Sequence, residues 1–232
     1  MMKIFLDSAD LPKMVSVYQS RLVQGFTTNP TLMQQAGVKD YAAFAQLTLK
    51  EIPDLPISFE VLSNDLMEME REAKLIASWG ENVYVKIPIV TSKNESCLPL
   101  IWKLNQEGIK LNITAVYMDW QVKAIRKHIE RDIPAIVSVF AGRIADIGID
   151  PVPVMKQAKD ILDWGETDIE LLWASCREVY NIKQAERCGC DIITVPYTLL
   201  LKTSFFGKDV NKLSLETVRG FTIDTVAAGY KL

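Results

Sequence analysis

Eight short runs rich in β-branched and aliphatic residues recur along the chain, near Lys3 to Leu6, Gln24 to Thr27, Ile57 to Val61, Val83 to Ile87, Lys110 to Thr114, Ala135 to Val139, Asp168 to Ala174 and Asp191 to Val195. Between them lie helix-length segments, many with apolar residues at helical spacing: Ala9 to Ser20, Tyr41 to Glu51, Asp65 to Trp79, Leu98 to Glu107, Asp119 to Glu130, Pro151 to Trp164 and Glu178 to Cys188. Strands that alternate with helices imply parallel pairing, because each crossover returns the chain to the same end of the sheet. Eight such units in 232 residues predict an α/β fold, a single-domain (β/α)8 TIM barrel near the smallest size the architecture allows. An open doubly wound sheet is the competing fold. The first strand-to-helix turn argues against it, since Gly25 stands alone before Phe26-Thr27-Thr28-Asn29-Pro30 and no GxGxxG is present. After the eighth strand, Leu213 to Ala228 reads as an additional C-terminal helix suited to packing on a neighbouring subunit. No linker, low-complexity tract or repeat interrupts the chain, so residues 1–232 are expected to form one domain.

Composition narrows the function classes. A net charge of -3 and a pI of about 5.4 give no general attraction to nucleic acid or to anionic membranes, so an anionic ligand needs a local cationic pocket. Four cysteines, Cys97, Cys176, Cys188 and Cys190, lack paired CxxC spacing, and His128 is the one histidine; no metal site is expected, and the cysteines read as reduced core or surface thiols. Met67, Met69 and His128 are assigned to packing or surface. The first strand follows the N-terminus directly, without a basic start and apolar signal core, and no apolar run is long enough to span a bilayer. A cytoplasmic location is the expectation.

Within the fourth run, Val83-Tyr84-Val85-Lys86-Ile87-Pro88, a lysine stands in an apolar strand. Moving an ammonium out of water disfavours its charged form, and the free amine is a nucleophile toward carbonyl carbon. An edge-strand lysine reaching solvent is the competing explanation. Parity decides between them, because alternate strand residues point into a barrel and the others face the helices. Val83, Val85 and Ile87 form the aliphatic, helix-facing set, so Tyr84 and Lys86 point inward. The same rule sends Phe5 and Asp7, Ser58 and Glu60, Asn112 and Thr114, and Ser138 and Phe140 into the barrel. Several inward polar groups are costly unless paired or used. Their place toward the C-terminal ends of the strands is where barrel enzymes keep their chemistry.

These residue types permit carbon-carbon bond cleavage. The Lys86 amine can add to a ketone, and the resulting iminium accepts the electrons of a breaking neighbouring bond. Asp7 is placed to take the hydroxyl proton, and Glu60 with Thr114 to hold a proton-shuttling water. The alternatives are that Asp7-Ser8 caps the first helix and that Glu60 is a structural partner of Lys86. Arg143, in Phe140-Ala141-Gly142-Arg143, and Ser175 with Arg177, in Ala174-Ser175-Cys176-Arg177, suit a phosphate through bidentate and hydroxyl contacts.

Taken in order, Phe5-Leu6-Asp7, Thr27-Thr28-Asn29-Pro30, Val85-Lys86-Ile87-Pro88, Asn112-Ile113-Thr114, Phe140-Ala141-Gly142-Arg143 and Ala174-Ser175 make the chain resemble the small transaldolase and fructose-6-phosphate aldolase group of class I aldolases. The resemblance implies Lys86 as the Schiff-base residue, Asp7 as acid and base, and Glu60 with Thr114 around the catalytic water. It implies that Asn29, Asn112 and Ser138, with Thr27 and Phe140 beside them, contact the dihydroxyacetone portion of the substrate. Arg143, Ser175 and Arg177 would bind the sugar phosphate. No cofactor is implied; a homo-oligomer is, often a decamer. Within the group, the transaldolase type carries Glu before the third-strand valine and Phe in the sixth-strand motif, where the free aldolase type carries Gln and Tyr. Glu60 and Phe140 therefore point to transfer of dihydroxyacetone between sugar phosphates; the resemblance associates such chemistry with the pentose phosphate pathway, which these residues do not themselves specify. A free aldolase and a catalytically silent sugar-phosphate-binding barrel stay open. Ile89 to Pro99 looks longer than its family equivalent, Leu172 to Arg177 has an unusual context, and both are expected at the mouth of the site; Tyr197 to Lys212 has no anchored reading.

Overall fold

The eight predicted strands form in order: β1 (Lys3–Asp7), β2 (Gly25–Thr27), β3 (Ile57–Glu60), β4 (Val83–Pro88), β5 (Leu111–Val116), β6 (Ala135–Val139), β7 (Ile169–Trp173) and β8 (Ile192–Pro196). The computed structural model describes residues 1–130, 132–165 and 168–231. All neighbouring strands are parallel, and β8 pairs with β1 to close a (β/α)8 barrel. Helices α1 (Leu11–Gln19), α2 (Pro30–Gln35), α3 (Tyr41–Glu51), α4 (Leu66–Ala77), α5 (Leu98–Gln106), α6 (Asp119–His128), α7 (Ala141–Asp146), α8 (Pro151–Leu162), α9 (Asn181–Arg187) and α10 (Tyr197–Leu200) run between and after the strands. α2 and α7 were not among the expected helices. At six residues each, they are too short to show helical periodicity.

Side-chain capping explains where several helices begin. Asp10, Asp40, Asp65 and Asp150 each accept backbone N–H groups of the first turn, occupying donors that the helix itself leaves unpaired. Asp10, not Asp7-Ser8, caps α1, and Asp7 is left to the barrel interior.

Strand parity sorts the core into two layers. Leu6, Phe26, Phe59, Val85, Ile87, Leu111, Ile113, Val137, Leu171, Trp173 and Ile193 belong to the cluster shared with the helices. Phe5, Ile136, Leu172, Ala174 and Ile192, with Tyr84 and Phe140 against them, form a separate cluster inside the barrel. This inner cluster is a packed floor. At the N-terminal ends of their strands, the inward residues Lys3 and Glu170 form an ion pair of 2.7 Å. The lower part of the interior is thus occupied by side chains.

All four cysteines are buried and unpaired. Burial pushes the thiols of Cys97 and Cys176 up to about 11 and about 12, which keeps them protonated and poorly nucleophilic. Among the described residues, no helix is long and apolar enough to cross a membrane.

The chain divides into two compact units, residues 1–200 and 201–232. The second opens with a 3₁₀ turn (Leu201–Phe205) and continues as α11 (Val210–Ala228), capped by Asp209 and ended by Gly229 in the left-handed conformation.

Gly25 packs directly against the floor. A Cβ built there would lie 2.5 Å from the Phe5 ring, so the ring occupies the space a side chain would need. Gly25→Ala should destabilise the barrel by about 1–3 kcal/mol, the cost typical of overpacking. Phe5→Leu in the same chain should recover part of that loss, as measured by denaturant unfolding.

Candidate active site

Lys86 lies inside the barrel and is 6% exposed. Its register partner on β3 is Glu60, and the ammonium Nζ sits 3.1 Å from Glu60 Oε2. Nζ also donates to the Thr28 carbonyl at 3.0 Å. The ion pair considered as an alternative for Glu60 is therefore present. It leaves the carboxylate beside the amine, where proton transfer would need it.

Asp7 stands at the end of β1 and accepts a hydrogen bond from Thr27 Oγ1 at 2.8 Å. Thr27 Oγ1 is also 2.5 Å from Thr194 Oγ1. Since the Thr27 hydrogen points to Asp7, Thr194 must supply the hydrogen of the second contact. Burial raises the Asp7 carboxyl above its ordinary value, outweighing the Lys86 ammonium and the Thr27 hydroxyl, which pull it down.

β5 contains an irregularity at the cavity wall. Its register with β6 shifts between Ile113 and Val116, and Ala115 adopts φ 57°. A non-glycine residue in the left-handed region carries strain. The extra residue lets both Thr114 and Ala115 line the cavity while Val116 returns to the buried outer layer. Thr114 lines the cavity, and its Oγ1 is buried with no hydrogen-bond partner among the described residues.

A cavity of about 500 Å³ joins these groups. Asp7, Glu60, Lys86 and Thr114 line it, as do Thr27, Asn29, Ser138, Phe140, Arg143, Ser175 and Arg177. Asn29 caps α2 through Oδ1, which accepts from Leu32 N–H at 2.9 Å. Asn112 does not line the cavity. Fully buried, it accepts from Ser138 Oγ at 2.7 Å and donates to Ser58 Oγ at 2.9 Å, a chain that orients Ser138 from behind.

On the opposite wall, the Arg143 guanidinium lies 5.2 Å from the centroid of the Phe140 ring, and the Phe140 ring packs on Tyr117. Arg177 donates from Nε to both carboxylate oxygens of Asp146, at 3.0 and 3.1 Å, and from Nη2 to Oδ2. Ser175 adopts φ 65°. Of the segments expected at the mouth, Leu172, Ala174, Ser175, Cys176 and Arg177 line the cavity, whereas residues 89–99 do not. That loop is instead folded on itself by a Val90–Ser96 bridge and tied to Asn64 through Ser92. Sequence reasoning missed Thr194 as the support of the Asp7 partner, although inward parity on β8 places it there. It also missed the α2 contribution of Thr31, Leu32 and Gln35, for which only the Asn29-Pro30 start signal was visible. Among the described residues, no cluster of His, Cys, Asp and Glu side chains is arranged to hold a metal ion.

The fold and cavity define a TIM barrel with a lysine-centred polar site at the C-terminal ends of its strands. The chain belongs to the transaldolase/fructose-6-phosphate aldolase family, whose model matches residues 4–231. It is 36% identical over 201 residues to a probable transaldolase of Thermoplasma volcanium, covering 86% of each chain. It is 33% identical over 201 residues to a probable transaldolase of Geobacter sulfurreducens, covering 87% of this chain and 89% of that one. Among solved structures, 3-hexulose-6-phosphate synthase from Salmonella typhimurium superposes with a TM-score of 0.60 at 15% identity, over 84% of this chain and 89% of that one. At that identity the likeness concerns the barrel alone.

Gly142 seats the arginine wall. A Cβ there would fall 1.6 Å from the Ser175 carbonyl oxygen, so only glycine lets α7 lie this close to the turn after β7. Gly142→Ala should displace Arg143 and Arg177 together. The expected cost is about 1–3 kcal/mol in stability, and an unchanged Tm would contradict this packing.

Proposed function

We propose that the protein is a transaldolase that moves a dihydroxyacetone unit from a ketose phosphate, such as fructose 6-phosphate or sedoheptulose 7-phosphate, to an aldose phosphate. The observation that carries this reading is the placement of the Lys86 amine between Glu60 and the Thr28 carbonyl, with Asp7 and Thr114 on the same cavity. In the proposed cycle, the amine adds to the C2 carbonyl. Glu60 and Thr114 hold the water that carries protons as the carbinolamine loses water to an iminium. Asp7 takes the C4 hydroxyl proton, the C3–C4 bond breaks, and its electrons pass into the iminium to give an enamine. An aldose phosphate then adds to that enamine, and hydrolysis frees Lys86. Thr27, Asn29 and Ser138, with Asn112 behind Ser138, suit the hydroxyls of the three-carbon unit, and Arg143, Ser175 and Arg177 suit the phosphate.

Phe140 supports transfer over release. Its ring has no proton to give the enamine carbon, so the three-carbon unit stays on Lys86 until an aldehyde arrives. The apolar side chains of α11, none of whose 19 residues is buried, suit an assembly of several copies of the chain.

Borohydride reduction in the presence of fructose 6-phosphate should trap a three-carbon adduct on Lys86, and Lys86→Ala should lose activity by roughly 10³-fold or more. No adduct and an active Lys86→Ala would leave a sugar-phosphate-binding barrel as the better reading. Turnover should require an aldose phosphate acceptor, and Phe140→Tyr should shift the balance toward free dihydroxyacetone. Rapid release by the parent protein would mark it as the free aldolase.

The raised Asp7 carboxyl gives a second prediction. With a folded pKa above the ordinary 3.8, folding favours the protonated acid. That contribution is present below the unfolded pKa and lost as pH rises through the folded one, so ionised Asp7 burdens the fold near neutrality. Asp7→Asn should therefore raise Tm at pH 7 while lowering kcat by about 10²–10⁴-fold. In the parent, activity should fall on acidification at a pH above the ordinary aspartate range, as Asp7 is protonated.

A further inference from the structure

The two arginines of the cavity wall are held differently. Arg143 has no ion pair among the described residues and rests on the Phe140 ring. Arg177 projects from the turn after β7, which has no regular structure of its own, and grips Asp146 through its Nε and Nη2 edge. Asp146 is the last residue of α7 and lies three positions after Arg143, on the same helix face. Its carboxyl is held below its ordinary value, first by the hydrogen bond from Arg177 and also by the charges of Arg177 and Arg143. Asp146 is thus bonded to Arg177 and feels the charge of Arg143 as well.

A guanidinium carries five N–H donors. The edge that Asp146 takes leaves the Nη1 side of Arg177 free for an anion. Without a carboxylate, two guanidiniums on one small wall would repel each other, and the Arg177 side chain would sample many rotamers before binding. Asp146 also opposes an arriving anion by its own charge. Because the pair is nearly half exposed, solvent weakens that opposition, whereas the geometric constraint is unaffected by solvent. We propose that Asp146 is a positioning residue that holds Arg177 in place beside Arg143, so that the two form a preformed clamp for the phosphate of the substrate. The proposal rests on the assignment of Arg143 and Arg177 to the phosphate made above.

The test compares Arg177→Ala, Asp146→Ala, Asp146→Asn and the Arg177→Ala/Asp146→Ala double variant. For each, kcat and KM are measured with fructose 6-phosphate and with unphosphorylated fructose as donors, together with competitive inhibition by inorganic phosphate. Asp146→Ala is expected to raise KM for fructose 6-phosphate and Ki for phosphate by about tenfold with kcat nearly unchanged, a loss of binding shared by ground and transition states. The parameters with fructose should not move. The double variant should be no worse than Arg177→Ala alone, since both changes disable one clamp. Asp146→Asn keeps an acceptor at the same place and should recover part of the loss. An unchanged or lowered KM and Ki in Asp146→Ala, with Arg177→Ala impaired, would overturn the positioning role and leave the phosphate assignment standing. Equal losses with fructose and fructose 6-phosphate would mark a general structural effect and also overturn it. If Arg177→Ala itself leaves both values unchanged, the phosphate assignment falls and takes the clamp with it.

Discussion

The contact on which the rest of the structure depends is the one between Lys86 and Glu60 inside the barrel. A charge removed from water is expensive, and a buried pair repays that cost only when its geometry is good and its other hydrogen-bonding capacity is used. Here the register of β3 against β4 sets the two residues opposite each other, and the Thr28 carbonyl takes a second ammonium hydrogen. Three consecutive strands must be in step for that to happen. A slip of one residue in β3 would bring Phe59 or Val61 to the amine and send Glu60 into the helix-facing core.

The cost of the site is spread over its surroundings. Asp7 is held in a place that disfavours its charge, Ala115 and Ser175 sit in a backbone region that suits glycine better, and Gly142 gives up a side chain so that α7 can meet the turn after β7. All of these lie at the C-terminal ends of the strands. Below them, the inner cluster is aliphatic and aromatic with ordinary parity, and it carries the load that the upper layer cannot.

Much of the barrel was legible in the chain because two periodicities were clean. The period of two in β4 gave the direction of Lys86, and the same rule placed Glu60, Thr114 and Ser138 beside it before any contact was known. Parity failed to foresee the β5 bulge, because an inserted residue leaves no mark in a run such as Asn112-Ile113-Thr114-Ala115-Val116. It could not show that Asn112 stands behind Ser138, since direction is encoded in the pattern and depth is not. Asp146 reads as one more polar residue at the end of a six-residue helix. Its link to Arg177, 31 positions away, exists only because Gly142 brings α7 against the turn after β7. Boundaries moved for local reasons: the first helix starts after Asp10 because that side chain, and no earlier one, reaches the free N–H of Lys13.

The packed floor also bears on the order of events. With Phe5, Ile136, Leu172 and Ile192 filling the barrel beneath Lys86, the cavity is closed from below and opens toward the C-terminal ends of the strands. In the proposed transfer, the aldose phosphate cut from the donor must leave through the opening by which the acceptor enters, and both carry a phosphate to the same wall. The two half-reactions then alternate on a shared doorway, so the kinetics should be ping-pong, with leaving and incoming aldoses excluding each other.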